Sequence, residues 1–183
     1  MPRGRLNLSG KLLLLTIPLV MIAEVLIYVP SIANFSVNRL NDRIAAANTA
    51  ALVLDAAPAG MVPDSLARSI LQSIGARAVA IKTGQQRRLL AVADMPPAVV
   101  RDVDMRTMNV WEAIVDSFSM MLERGDGVIR IIGPAPQGEQ FIEVVVDEAP
   151  LRQAMYRFSS NVLLLSFGFA IATAGLIYLA LHF

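Results

Sequence analysis

Two long apolar stretches constrain how this chain can fold more than any other feature of its sequence. Glu24 is the only charged residue in residues 12–33, and residues 158–181 contain no charged residue at all. A helix that spans a bilayer needs about 20 predominantly apolar residues, and both stretches reach that length. The sequence therefore predicts two transmembrane helices, over residues 12–33 and residues 158–181.

The composition agrees with a membrane protein and argues against several other classes. Hydrophobic residues make up 55% of the 183 residues, whereas about 45–50% is usual for soluble domains. The net charge is only +1 and no basic stripe occurs, so we expect no nucleic-acid partner. The chain has no cysteine and a single histidine, His182, which argues against a disulfide framework and a classical zinc site. We expect no metal ion and no cofactor.

The first apolar stretch also has features of a secretory signal peptide, because three basic residues precede it. However, the apolar run is longer than the usual signal core of about 7–15 residues. Glu24 interrupts the run, and no clean small-x-small cleavage site follows Tyr28. These features favour an uncleaved membrane anchor.

The distribution of charge predicts an orientation. Residues 1–11 contain three basic residues and no acidic one, and basic residues in short flanks stay on the cytoplasmic side of a membrane. We therefore expect a cytoplasmic tail over residues 1–11, an extracytoplasmic domain over residues 34–157 and a cytoplasmic stub at residues 182–183.

Glu24 lies within a predicted span, where a carboxylate is costly and is often functional. Tyr28 follows one helical turn later, and a hydrogen bond between the two side chains would satisfy the carboxyl group. Two interpretations stay open: a protonated or paired Glu24 that faces a helix bundle, and a signalling role.

The residues between the spans predict one domain of α+β class, since about 120 residues are enough for one domain and too few for two. Periodicity and turn residues predict six elements. The first half of the domain has a helix over residues 36–57 that ends at Pro58 and Gly60, a helix from a capping Asp64 to Gly75, and a hairpin of residues 77–82 and 88–93. The second half has a helix over residues 107–124, a hairpin of residues 128–132 and 140–146, and an exit helix that begins at Asp147 and Glu148. Strands joined by hairpins imply an antiparallel sheet with helices on one or both faces.

A heptad seam runs along the first of these helices. Its apolar residues repeat at alternating three- and four-residue spacing, which is typical of helix pairing; they are Val37, Leu40, Ile44, Ala47, Ala51 and Leu54. The seam fits pairing with the same helix of a second copy, and it fits packing onto the domain's own sheet. Both alternatives stay open.

The helix over residues 107–124 has one broad apolar face, formed by Met108, Trp111, Ile114, Val115, Phe118, Met121 and Leu122. The cations that could bind a small anion are Arg77, Lys82, Arg87, Arg88, Arg106 and Arg130. Trp111 could close such a pocket. The simpler interpretation places Trp111 in the core and these cations on solvated strand faces.

The sequence contains no catalytic constellation, so we name no catalytic, cofactor-binding or metal-binding residue. The domain has no histidine that could serve as the base for a serine nucleophile, and it has neither a GxSxG elbow nor a Walker glycine loop. Asp102 with Asp104, and Asp147 with Glu148, are explained as solvated charges and as acids at a helix start.

Three stretches resemble the sensing halves of alphaproteobacterial two-component sensor histidine kinases, of the Bradyrhizobium type. They are LNLSGKLLLLTIPLVMIAEVLIYVPSIANF, GARAVAIKTGQQRRLLAVADMPP and FIEVVVDEAPLRQAMYRFS. The resemblance covers essentially the whole chain. It implies a PAS- or Cache-like periplasmic domain, a place in the bacterial inner membrane, contact with membrane lipid, a homodimer joined through the seam, and a periplasmic stimulus such as a small ligand.

In that family the second span leads to a linker and a kinase region that acts on a cytoplasmic response regulator. No kinase motif surrounds His182, so the phospho-acceptor role does not carry over to it. We expect a sensor module whose kinase region is absent from this sequence. The alternatives are a stand-alone membrane-anchored scaffold and a sensor for a cyclase or chemoreceptor output. The DNA after the codon of Phe183 would distinguish them.

Overall fold

The fold consists of two long helices and, between them in the chain, a five-stranded sheet with two shorter helices. The computed structural model describes residues 8–56, 63–83, 86–92, 99–123, 125, 127–135 and 141–182. Its elements are α1 (Leu8–Ala56), α2 (Asp64–Ile74), β1 (Ala76–Thr83), β2 (Gln86–Val92), β3 (Val99–Asp104), α3 (Val110–Leu122), β4 (Val128–Gly133), β5 (Phe141–Asp147) and α4 (Glu148–His182). Residues 1–7 of the predicted tail, the predicted helix stop at Pro58 and Gly60, and Phe183 lie outside the described residues.

The two long helices continue from the apolar stretches into the domain without a break, as predicted. Helix α1 has 49 residues and α4 has 35, and both are long and apolar enough to cross a membrane. At 1.5 Å per residue α1 is about 70 Å long, more than twice the thickness of a bilayer's hydrocarbon core, which is about 30 Å. A large part of α1 therefore belongs to the domain.

The sheet has the strand order β2-β1-β5-β4-β3. Both predicted hairpin pairs are confirmed, because β1 pairs antiparallel with β2, and β4 pairs antiparallel with β5. The prediction of a wholly antiparallel sheet is wrong, since β3 was not predicted and pairs parallel with β4. Parallel neighbours need a crossover connection, which α3 provides. The domain is therefore a mixed sheet with helices.

The seam of α1 is buried against its own domain. Leu40, Ile44 and Ala47 lie in the main core cluster, where they meet sheet residues that alternate along each strand, such as Ile131, Ile142 and Val144. Ala51 and Leu54 are also in this cluster, and Val37 is half-buried. Of the two alternatives for the seam, the structure shows packing onto the domain's own sheet.

Helix α3 does not face the core with its tryptophan. A capping box formed by Asn109 and Glu112 starts the helix, and Ala113, Ser117 and Met120 form its buried side. The prediction that Trp111 belongs to the core is wrong, since its side chain is 76% exposed. The buried side of α3 thus consists of two small residues and the large side chain of Met120, and Trp111 lies away from it.

Helix α2 begins one residue earlier than a cap at Asp64 would require. Pro63 is the N-cap and makes no side-chain cap hydrogen bond, so Asp64 is the first helical residue and the predicted capping role is wrong. The predicted stop is confirmed at Gly75, which has φ 64° and whose N–H donates to carbonyl oxygens of the last turn.

The contact between Gly133 and Ile44 predicts a sensitive position. A Cβ atom on Gly133 would lie 2.5 Å from Cδ1 of Ile44, so Gly133→Ala should push α1 away from the sheet and cost about 1–3 kcal/mol of unfolding free energy. Thermal unfolding of the full chain in detergent, followed by circular dichroism, measures the loss. Gly125→Ala is the matched control, because nothing lies within 4 Å of its Cβ position. Equal stability of the two variants would contradict the close packing of α1 on the sheet.

Candidate functional site

A cavity of about 470 Å³ lies where both long helices meet the end of the sheet. This volume is in the range of small-molecule sites. Its walls come from five elements. Its lining residues are Arg39, Leu40 and Arg43 of α1, Gln72 of α2 with the C-cap Gly75, Ala76 and Arg77 of β1, Val146 and Asp147 of β5, and Pro150, Leu151 and Ala154 of α4. We call this cavity the arginine pocket.

Three guanidinium groups and one carboxylate line the arginine pocket. Arg39 and Arg43 stand one helical turn apart on α1, beside the buried seam. Arg77 donates from Nε to Oδ1 of Asp147 at 2.5 Å, and Arg43 donates from Nη1 to the carbonyl oxygen of Ile74 at the end of α2. The lining therefore has more positive than negative charge, and guanidinium groups bind carboxylates and phosphates in a bidentate manner.

Gly75 is required where Arg43 crosses the end of α2. Its φ of 64° is in the left-handed region, which favours glycine. A Cβ atom there would also lie 2.5 Å from Nη1 of Arg43. The end of α2 thus holds the Arg43 side chain in place, and any larger residue would displace it.

A series of ring contacts joins the arginine pocket to the contact between the two long helices. The guanidinium carbon of Arg39 lies 5.3 Å from the ring centroid of Phe35. Phe35 in turn stacks on Phe158 of α4, with centroids 4.3 Å apart and planes at 9°. About two turns from Phe35 towards the N-terminus of α1, the hydroxyl of Tyr28 is hydrogen-bonded to that of Ser159. A group that binds Arg39 therefore acts next to the α1–α4 contact.

The predicted hydrogen bond between Glu24 and Tyr28 is not among the contacts of the described residues, where the partner of the Tyr28 hydroxyl is Ser159. The Glu24 side chain is half-buried. Both interpretations of Glu24, a paired residue in a helix bundle and a signalling role, stay open.

The six cations proposed from the sequence do not converge on one site. Of the four whose side chains the structure describes, only Arg77 lines the arginine pocket. Lys82 and Arg106 lie over the ring of Phe141, at 5.1 Å and 4.6 Å from its centroid, and Arg130 pairs with Asp102. The side chains of Arg87 and Arg88 lie outside the described part of the chain.

The carboxylates of Asp102 and Asp104 each have their own arginine. Arg130 donates two hydrogen bonds to Asp102, at 2.7 Å and 2.6 Å, and Arg106 donates two from its side chain to Asp104, at 2.9 Å and 2.7 Å. These bonds lower the pKa of both carboxyl groups. Both acids are therefore ionised partners of surface ion pairs, as the simpler interpretation of the sequence holds.

Glu148 was predicted as an ordinary acid at a helix start, and the structure buries it. Its side chain is 3% exposed, and Oε1 has no hydrogen-bond partner within the described structure. The nearest cation is Arg152, whose Nη1 lies 3.8 Å from Oε2. Burial raises the pKa of Glu148, the guanidinium groups of Arg152 and Arg101 oppose that rise, and the carboxylate of Glu123 adds to it. Glu148 lies ten residues before the predicted second span.

The chemistry available in the arginine pocket is anion binding. Its charged groups are guanidinium groups and one carboxylate already paired with Arg77, so it offers neither a nucleophile nor a general base. Across the described ranges, no group of three potential metal-binding side chains occurs. No protein-family profile, curated protein or solved structure matches the chain.

Sequence reasoning missed Arg39 and Arg43 as site residues. Both lie off the apolar seam of α1, and arginine beside such a seam ordinarily belongs to the polar side of a helix. A usable signal was present in their four-residue spacing directly beside the seam. Their convergence with Arg77, however, depends on how α1 lies across the sheet.

Burial of Glu148 predicts an unusual pH dependence. A raised pKa means that the folded state binds the proton more tightly than the unfolded state. The contribution of Glu148 to stability is therefore complete below the ordinary glutamate value of about 4.5 and is lost as the pH rises through the raised pKa. Glu148→Gln should raise the melting temperature of the full chain at pH 7, by on the order of a few degrees, and the difference should vanish towards pH 4.

Asp102→Asn is the matched control, because the pKa of Asp102 is lowered and its effect should have the opposite sign. It should destabilise slightly at pH 7, since Asp102 is in a surface pair, and less as the pH falls. A Glu148→Gln variant that melts below the parent at pH 7 would show that Glu148 is a stabilising ionised partner of Arg152.

Proposed function

We propose that this chain is the sensing module of a membrane-bound signal-transduction protein of the two-component histidine kinase type. In this proposal α1 and α4 cross the bacterial inner membrane with the N-terminus in the cytoplasm, and the α+β domain is a PAS- or Cache-like periplasmic sensor. A small anion in the arginine pocket changes how α1 and α4 lie against each other. That change passes through the membrane to a cytoplasmic kinase region, which acts in a homodimer on a response regulator.

The observation that carries the proposal is that the arginine pocket has walls on both long helices. Arg39 and Arg43 belong to α1, and Pro150, Leu151 and Ala154 belong to α4. An anion that draws Arg39 and Arg77 together would favour one arrangement of the two helices over another. A ligand shifts an equilibrium only through such a difference in affinity for the two states.

The contacts of Phe35 support a direct route from the pocket to the helix pair. Phe35 touches Arg39 on its own helix and stacks on Phe158 of α4. Movement of the Arg39 guanidinium towards an anion therefore changes the packing at the point where the helices meet. Helix shifts of about 1–2 Å are a common way to pass such a change along.

The first test is anion binding. The full chain in detergent is screened by thermal shift against phosphate, sulfate and small dicarboxylates, and the affinity of any stabilising anion is then measured by calorimetry. Arg39→Gln should weaken the binding of that anion by about tenfold to a hundredfold, since a hydrogen bond to a charged group is worth about 1.5–3 kcal/mol. Arg106→Gln is the control, because Arg106 lies outside the arginine pocket. No shift with any of these anions, or equal losses in both variants, would contradict the anion site.

The second test is movement of the helices. The chain has no cysteine, so Leu19→Cys with Leu176→Cys places spin labels on two exposed positions of the apolar stretches. The anion should change the distance between these labels, on the order of 1–2 Å. Labels at Leu66→Cys with Val110→Cys, on the domain surface, should show no change. Anion binding without movement of the first pair would favour the membrane-anchored scaffold instead.

A further inference from the structure

Helix α3 carries an apolar stripe that its own domain leaves uncovered. Trp111, Val115, Phe118 and Leu122 repeat at four-, three- and four-residue spacing, which places them on one side of the helix. Trp111 is 76% exposed, Val115 64% and Leu122 79%, while Phe118 is half-buried at the inner edge of the stripe. Large exposed apolar residues in a contiguous patch usually mark a contact surface.

The polar side of α3 is held by strand β3, which fixes the direction of the stripe. Arg101 of β3 donates to Ser119 at 2.6 Å and to Glu123 at 2.5 Å, and Arg101 Nη1 lies 3.6 Å from the carboxylate of Asp116. Asp116, Ser119 and Glu123 each directly follow a stripe residue in the sequence, so they form the neighbouring side of the helix. The exposed residues of the stripe, Trp111, Val115 and Leu122, therefore face neither the core nor β3.

The contacts of α3 place the stripe beside the outer ends of the two apolar stretches. The ring of Phe118 lies 6.5 Å from that of Tyr28 of α1, within the predicted span over residues 12–33. The carbonyl oxygen of Met121 accepts a hydrogen bond from Tyr156 of α4, two residues before the other predicted span. Trp111 is seven residues from Phe118, or about 10 Å along the helix, so it lies within about that distance of this level.

We infer that α3 is an interfacial helix whose stripe rests in the headgroup–acyl boundary of the outer leaflet. The inference rests on the proposed function in one respect, that α1 and α4 cross the bilayer. A surface at the level of the span ends contacts lipid unless protein covers it, and an exposed tryptophan there is typical of the aromatic belts of membrane proteins. Of the acidic residues of α3, Glu112 belongs to the capping box and Asp116 is paired with Arg101. Burial of apolar area therefore drives the contact, and anionic lipid is not required.

The position of α3 also decides between lipid and a second copy of the chain as the partner of the stripe. The contact between Phe118 and Tyr28 joins the stripe to α1, where apolar residues such as Val25, Leu26 and Ile27 are also exposed. In a membrane these residues face acyl chains. Lipid therefore covers the stripe without any additional partner, whereas a second copy would require a complementary surface at the same height.

Trp111 is the only tryptophan in the chain, so its fluorescence tests the inference in the unmodified protein. The full chain is reconstituted in phosphatidylcholine nanodiscs that contain lipid with a nitroxide either near the headgroup or at the end of the acyl chain. Trp111 emission should be quenched strongly by the nitroxide near the headgroup and less by the one at the chain end. Replacing a third of the lipid with an anionic one should leave the quenching unchanged, because burial of apolar area drives the contact.

Two reporters in a Trp111→Phe background calibrate the result. Leu26→Trp, on an exposed position of the first apolar stretch, should be quenched by lipid nitroxides, and Leu66→Trp, on α2, should not. If Trp111 behaves like Leu66→Trp while Leu26→Trp is quenched, the inference is wrong although the span holds. If Leu26→Trp is not quenched either, the spanning arrangement itself fails. Trp111 emission that is shielded from water yet insensitive to both nitroxides would overturn the inference in favour of a second copy.

Discussion

The packing of α1 on the sheet is the contact on which the other features of this protein depend. Leu40, Ile44 and Ala47 are buried there, and Gly133 lets the helix come close because it has no side chain. The same helix carries Arg39 into the arginine pocket, and Tyr28 into its contacts with α3 and α4. A displacement of α1 would therefore disturb the core, the pocket and the helix pair together. The seam that suggested pairing with a second copy is buried in this contact.

Elements with strong local signals could be predicted from the sequence, and those that depend on distant partners could not. The long helices, both hairpins and the stop at Gly75 follow from apolar runs and turn residues. Strand β3 was missed because Val103 is its one buried residue in the main core, so it lacks the alternation of a half-buried strand. Trp111 was placed in the core because hydrophobicity does not show which side of a helix finds a partner, and here the side with Ala113, Ser117 and Met120 faces the core.

The candidate site was predicted only in part, for a similar reason. Arg77 was named from the sequence, but Arg39 and Arg43 join it only because α1 crosses the sheet in one particular register. Glu148 was recognised as an acid at a helix start, which is ordinarily a favourable and solvated position. Its burial comes from the start of β4 and the end of α3, since its backbone N–H donates to the carbonyl of Gly127 and Arg152 binds the carbonyl oxygens of Glu123 and Gly125. No local pattern contains that information.

The unbroken course of α1 has a consequence for the length of the chain. One helix forms both the apolar stretch and the domain's seam. The direction in which each side of the apolar stretch points is therefore fixed by the direction of the seam. One residue inserted near position 34 would turn the outward face of the apolar stretch by about 100° relative to the sheet. Seven residues would restore the phase to within about 20° but lift the domain by about 10 Å, away from the level at which α3 meets Tyr28. Helical phase and height together leave this segment little freedom to change length.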